Sequence, residues 1–116
     1  MKKILFIALM LALPTTSTFA KQVNDAKVKS VYTHNCCNRG PYTAVVLEGG
    51  TYHGGGVCDA RYNDHFAIET SHPNHDAFVS IALSANASGK KVFVYGNRGG
   101  CIGPFNRADG IAINND

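Results

Sequence analysis

The sequence predicts a small all-β domain that carries one helix. Three observations lead there. Short runs of β-branched and aromatic residues alternate with glycine-rich turns, one interior stretch shifts its apolar spacing to the helical period, and four cysteines follow an export signal.

Residues 1–20, MKKILFIALMLALPTTSTFA, form no part of that domain. Lys2 and Lys3 precede an apolar run from Ile4 to Leu13, and Thr18-Phe19-Ala20 places small residues at −3 and −1 for cleavage after Ala20. The run falls short of the roughly 20 residues a bilayer crossing requires, and no other stretch approaches it, so no membrane span is expected. A double lysine before a compact apolar core is of bacterial type and implies a periplasmic or secreted product. Loss of the signal lowers Lys plus Arg from 11 to 9 against 8 Asp plus Glu, a mature charge near +1. No basic stripe remains to hold a phosphate backbone, which argues against nucleic-acid binding. Residues 21–116 are expected to make a single domain with a modest core, of the size that exported proteins often staple with disulfides.

Lys21–Ala26, KQVNDA, reads as a loose polar arm. KVKSVYTH alternates at period two, with Val28, Ser30 and Tyr32 on one side and Val31 on the other, and reads as the first strand. YTAVVLEG is the clearest strand and is expected to stop at a turn beginning with Gly49-Gly50. The GGTYHGGG stretch lacks a following helix and a GK[ST] element, so a hairpin fits it better than a phosphate cradle. The third strand is expected through VCDARYNDHFAIET, bent near Tyr62-Asn63-Asp64.

The helix follows Pro73, with Asn74 or Ser71 as cap, Asp76 at its positive end and Gly89 as its stop. Ser80, Ser84 and Ser88 make one thin polar stripe, and apolar residues around it imply a mostly buried helix. Asn86-Ala87-Ser88 matches a glycosylation acceptor, coincidental behind a bacterial-type signal. KKVFVYG reads as a strand buried on both faces. CIGPFNRADGIAIN gives the last strand, split around Pro104 and NRADG, with Ile111 and Ile113 facing one way.

The order β-β-β-α-β-β is that of an OB-fold-like small Greek-key barrel, in which the third and fifth strands run side by side and parallel. Cys58 and Cys101 start those predicted strands, so a Cys58–Cys101 bridge is expected, stabilising by about 4 kcal/mol in the chain-entropy model. Cys36 and Cys37 are adjacent, with Cα atoms about 3.8 Å apart, below the usual disulfide window of roughly 4.4–6.8 Å. A strained vicinal bridge is the leading expectation for them. Free thiols, a link to a second chain and a crossed pairing with Cys58 and Cys101 stay open, and no C-x-x-C favours a redox role.

Catalytic and metal chemistry find little support. His34 with Cys36, and His72 and His75 with His65 seven residues before His72, do not supply the three or four convergent ligands of a zinc site, and no H-E-x-x-H is present. No G-x-S-x-G and no carboxylate dyad stands out. The expectation is a non-enzyme without cofactor or metal.

From Cys58 to Pro104, a cysteine-bearing strand, a helix with a small-residue-Gly stop, GKKVFVY and then CIGP resemble the binding subunits of subtilase-cytotoxin and pertussis-like AB5 toxins. That resemblance implies an exported OB-fold protein that assembles as a pentameric ring and binds cell-surface glycans. Independently of it, Tyr42, Tyr52, His53, Tyr62, Asn97 and Arg98 fall in or beside the loops, where aromatic faces and fixed polar groups could hold a sugar. The expected function is an exported glycan-binding module; the alternative is an envelope structural or inhibitory protein that meets a protein partner.

Overall fold

Strand β1, Gln22–Asn35, organises the sheet because it serves three partners. The computed structural model describes residues 21–35, 40–54, 58–96 and 100–114. Residues 1–20, Cys36 with Cys37, and Asn97 with Arg98 lie outside the described residues.

The expected loose arm at 21–26 is instead the first half of β1. Two bulges explain why its sequence does not read as a strand. Val23 pairs with Val94 and Ala26 with Val92, so Asn24 and Asp25 together oppose the single residue Phe93. Farther along, Val28 pairs with Leu47 and Ser30 with Val46, which leaves Lys29 as an extra residue. Each bulge resets the alternation. Val23, Ala26 and Val28 all reach the core, and Val31 packs against it while Ser30 and Tyr32 face out.

β2, Pro41–Glu48, and β3, Thr51–His53, run antiparallel to β1 as one interrupted path. Lys27 pairs with Glu48 and Asn24 with Thr51, so Gly49-Gly50 forms a kink beside the Asp25 bulge rather than the expected hairpin turn. Gly50 has φ +88°, and a Cβ there would lie 2.8 Å from both Ala26 Cβ and the Asn24 carbonyl oxygen.

The third predicted strand begins later than expected. After Cys58 come a 3-10 turn at Ala60–Tyr62 and then β4, His65–Glu69, paired antiparallel with β2. Helix α1, His75–Ser88, follows. It is not mostly buried: Phe78, Ala82 and Ala85 make one inward stripe while Leu83 is 51% exposed, because the sheet covers only one side of the helix. The serine stripe is exposed as expected. Asn86 Nδ2 donates to the Val28 and Lys29 carbonyls, fastening the helix C-terminal end at the second bulge.

β5, Lys91–Tyr95, buries Val92 and Val94 but leaves Phe93 and Tyr95 half-exposed on its other face, so it is not buried on both faces. The last predicted strand divides into β6, Cys101–Ile102, β7, Phe105–Arg107, and β8, Gly110–Asn114. β6 pairs antiparallel with β7, β7 parallel with β4, and β8 antiparallel with β5. The molecule is therefore mostly β with one helix among the described residues, in a mixed sheet ordered β6-β7-β4-β2-β1-β5-β8 with β3 on β1. Between β7 and β8, the Ala108 amide donates to the Ala67 carbonyl at 2.8 Å and the Asp109 amide to the Tyr95 carbonyl at 2.8 Å. One short segment thus touches β4 and β5 in turn.

Cys58 and Cys101 are bonded, with Cα atoms 5.7 Å apart. The expected pairing holds, but its setting differs: Cys58 lies in the loop before the 3-10 turn and Cys101 in β6, while the parallel neighbours are β4 and β7. The bridge ties the approach to β4 onto the β6–β7 hairpin.

Two outcomes follow for stability. Gly50→Ala should lower the unfolding free energy by about 2–4 kcal/mol, since its Cβ would meet backbone and its φ is left-handed. A denaturant midpoint equal to that of the parent would remove the kink from this account. Replacing Cys58 and Cys101 together by serine should cost about 4 kcal/mol for a separation of 43 residues, and non-reducing peptide mapping of the parent should recover the 58–101 link.

Candidate functional site

The two faces of the sheet carry different clusters. Inside, Phe66, Ile68, Val92 and Val94 from the strands pack with Phe78 of α1. Outside β2, β4 and β7, Tyr42, Ala44, Ala67, Ile102 and Phe105 form a second buried cluster, with Tyr62 against it. Asn106, 2% exposed, donates from Nδ2 to the carbonyls of Asn63 and His65 and so fixes the loop that covers this cluster.

The sequence-predicted ligand residues separate into two groups. Tyr42 is 4% exposed and meets Phe105 and His34 edge-on, with centroids 5.9 and 5.7 Å away, so its ring is engaged in packing. Tyr62 stands edge-on to His65 and Phe105 at 5.1 and 5.3 Å. Tyr52 lies apart on β3, half-buried beneath the Lys21 ammonium, 5.5 Å from its ring, and that ammonium also donates to Asn63 Oδ1. His53 is exposed at the end of β3. The structure therefore joins Tyr42 with Tyr62 around Phe105 and does not bring them onto Tyr52 and His53. Asn97 and Arg98 fall outside the described residues.

The helix N-terminus gathers histidines and carboxylates. The Asn74 amide donates to His72 Nδ1 at 2.9 Å, so His72 Nε2 carries the hydrogen that Asp109 Oδ1 accepts at 2.8 Å. Asn74 does not cap with its side chain; its Nδ2 donates across to the Asp109 carbonyl. His75 Nδ1 pairs with Asp76 Oδ1 at 3.0 Å and His75 Nε2 with Thr43 Oγ1 at 2.8 Å. A hydroxyl, an imidazole and a carboxylate in line have the order of a hydrolytic triad. Thr43 is only 1% exposed, however, so its oxygen is closed to substrate. These bonds instead pin α1 to β2 and to the β7–β8 junction.

Among the described residues, a surface depression lies on the outer face of β1, β5 and β8. An open cleft of about 480 Å³ is lined by Asn24, Asp25, Phe93, Ala112, Ile113 and Asn114. Phe93 stacks on Tyr95 with centroids 5.4 Å apart and planes 24° from parallel. Tyr95 lies across Gly110, where a Cβ would fall 2.4 Å from its ring and hydroxyl, and Ala112 faces Phe93 across the pair β5–β8. The glycine on β8 thus makes room for the Tyr95 ring, and both aromatic rings stay half-exposed. On the other side Asp25, with φ +59°, holds its carboxylate against Asn114, whose Nδ2 donates to Oδ1 at 2.6 Å. The Gly50 backbone closely approaches the residues that flank Asp25, Asn24 and Ala26.

Sequence reasoning missed this cleft. Pattern alone reads Asn24 and Asp25 as a polar arm and Phe93 as part of a strand buried on both faces. The polar break between Val23 and Ala26 was the available signal, but it becomes a bulge only opposite Phe93.

Burial raises the phenolic pKa of Tyr42, and does so for Tyr32 and Tyr52 with smaller help from neighbouring Tyr42 and Tyr62 in the first case and Asp64 in the second. The unfolded chain, with phenols near 10.0, gives up these protons first. Stability from these groups is whole below about pH 10 and falls as pH climbs through the raised folded values. Lys21, lowered by burial, acts in the opposite sense, one group against three. Urea midpoints should therefore decline as pH rises above about 10, and less so for Tyr42→Phe; a flat or rising profile would contradict this. Comparison with protein families, curated proteins and solved structures gives no match for this chain.

Proposed function

We propose that this chain is an exported, non-catalytic binding module that recognises a saccharide. The observation that carries the reading is the open cleft in which Phe93, backed by Tyr95 outside the lining, lies beside Asn24, Asp25 and Asn114. Aromatic faces receive the C–H surface of a sugar ring, and a few fixed polar groups orient its hydroxyls. The cleft volume lies within the roughly 300–1,000 Å³ of small-ligand sites.

The same proposal takes the domain as an OB-like Greek-key barrel. Support comes from the parallel β4–β7 pair, from β1 serving both β2 and β5, and from the continuous passage of β7 into β8 between the two ends of the sheet order. It also takes cleavage after Ala20 and delivery to the periplasm or medium as the setting. Among the described residues no helix is long and apolar enough to cross a membrane. A five-membered ring, as in the AB5 binding subunits, is the assembly this reading suggests, and a native mass in solution tests it.

Binding of the purified mature protein to an immobilised panel of glycans is the direct experiment. Saturable binding to at least one saccharide class is expected, weakened by Phe93→Ala at an unchanged disulfide content. Absence of binding to every class on the panel would reject the saccharide reading.

A further inference from the structure

The chemistry of the cleft narrows the saccharide class, provided the saccharide reading above is right. The lining contains one carboxylate, two carboxamides, one aromatic face and no cationic side chain. Asp25 Oδ1 accepts from Asn114, while among the described residues Oδ2 has no partner. A carboxylate fixed in this way is an acceptor, and it repels a second negative charge. Lys91 pairs with Lys27 across β1–β5 and with Asn114 across β5–β8, and it shares the face of Phe93 two residues along, so it flanks the cleft without lining it.

We infer that the cleft takes an uncharged pyranose, seated with its C–H face on Phe93 and donating hydroxyl hydrogens to the Asp25 carboxylate. Vicinal hydroxyls suit a carboxylate whose position is set by the bulge rather than by a free side-chain rotamer. Asn24 and Asn114 supply both donor and acceptor atoms at the rim, which serve hydroxyls and acetamido groups equally. The Asn24–Asp25 bulge thereby acts as the specificity element. It aims a carboxylate across the outer face, and Gly50, pressed against Asn24 and Ala26, holds the bulge in place.

Asp25 can be changed without loss of the fold, which makes the test clean. Glycine accepts φ +59° more readily than aspartate, so Asp25→Gly should keep or raise the thermal midpoint. Asp25→Asn keeps a residue that tolerates the left-handed region and removes only the charge. Binding would be measured by titration calorimetry and by competition on the glycan panel, using methyl hexopyranosides, N-acetylhexosamines, hexuronates and unacetylated hexosamines. The expected result is competition by the neutral sugars, weakened about tenfold or more in Asp25→Gly, Asp25→Asn and Phe93→Ala. If only the hexuronates or the amino sugars compete, the saccharide reading survives and this inference falls. Neutral-sugar binding that is unchanged in both Asp25 variants would also overturn it, by placing the sugar elsewhere. If nothing on the panel binds, both fall together.

Discussion

A single bent strand decides how the rest of this molecule is arranged. β1 lies beside β2, β3 and β5, and it can do so only because two bulges turn it. At the first bulge Asp25 adopts a left-handed conformation, and the neighbouring path passes through Gly49 and Gly50, both with positive φ. The two backbones approach closely enough there that a Cβ on Gly50 would meet the Asn24 carbonyl. Bulged strands bend and twist more sharply than regular ones. Here the bend sets the first half of β1 beside β5 and the second half beside β2, so one strand links both parts of the sheet.

The remaining elements are fastened around that strand by polar contacts at a few points. Asn86 binds the carbonyls of the second bulge and anchors one end of α1. His72, Asn74 and His75 anchor the other end to Asp109 and Thr43. Buried polar groups of this kind are costly unless paired, and once paired they specify a position that apolar packing alone leaves open. The histidines and carboxylates that invite a catalytic reading are thereby occupied in holding the helix. Asn106 does the same for the loop over the outer aromatic cluster, and the Cys58–Cys101 bond closes that loop onto β6.

The proposed ligand cleft is a by-product of the same bend. Because two residues of β1 oppose one residue of β5, Asp25 is thrust out beside Phe93 instead of continuing the alternation. Gly110 makes room for the Tyr95 ring, Ala112 stands opposite Phe93, and Asn114 donates to the carboxylate.

Much of the fold was legible from residue pattern. β2 announces itself by its β-branched run, α1 by Pro73 and Gly89 at its ends, and β8 by Ile111 and Ile113, since local propensity and side-chain period are properties of neighbours in sequence. The sulfur pairing of Cys58 with Cys101 also matches the expectation, although Cys58 lies in a loop and Cys101 in β6 rather than at the starts of the parallel strands β4 and β7. What lay beyond the sequence were features made by pairing between distant strands: the first half of β1, the kink at Gly49-Gly50, the exposed outer faces of α1 and β5, and the cleft beside Phe93. Asn24-Asp25 looks like a polar arm until Phe93 stands opposite and Gly50 presses against it. By itself the sequence determined where chain segments favour strand or helix, because that preference is local. Only the tertiary structure decided which residues face outward together, because a bulge is defined by the register of two strands and not by either one alone.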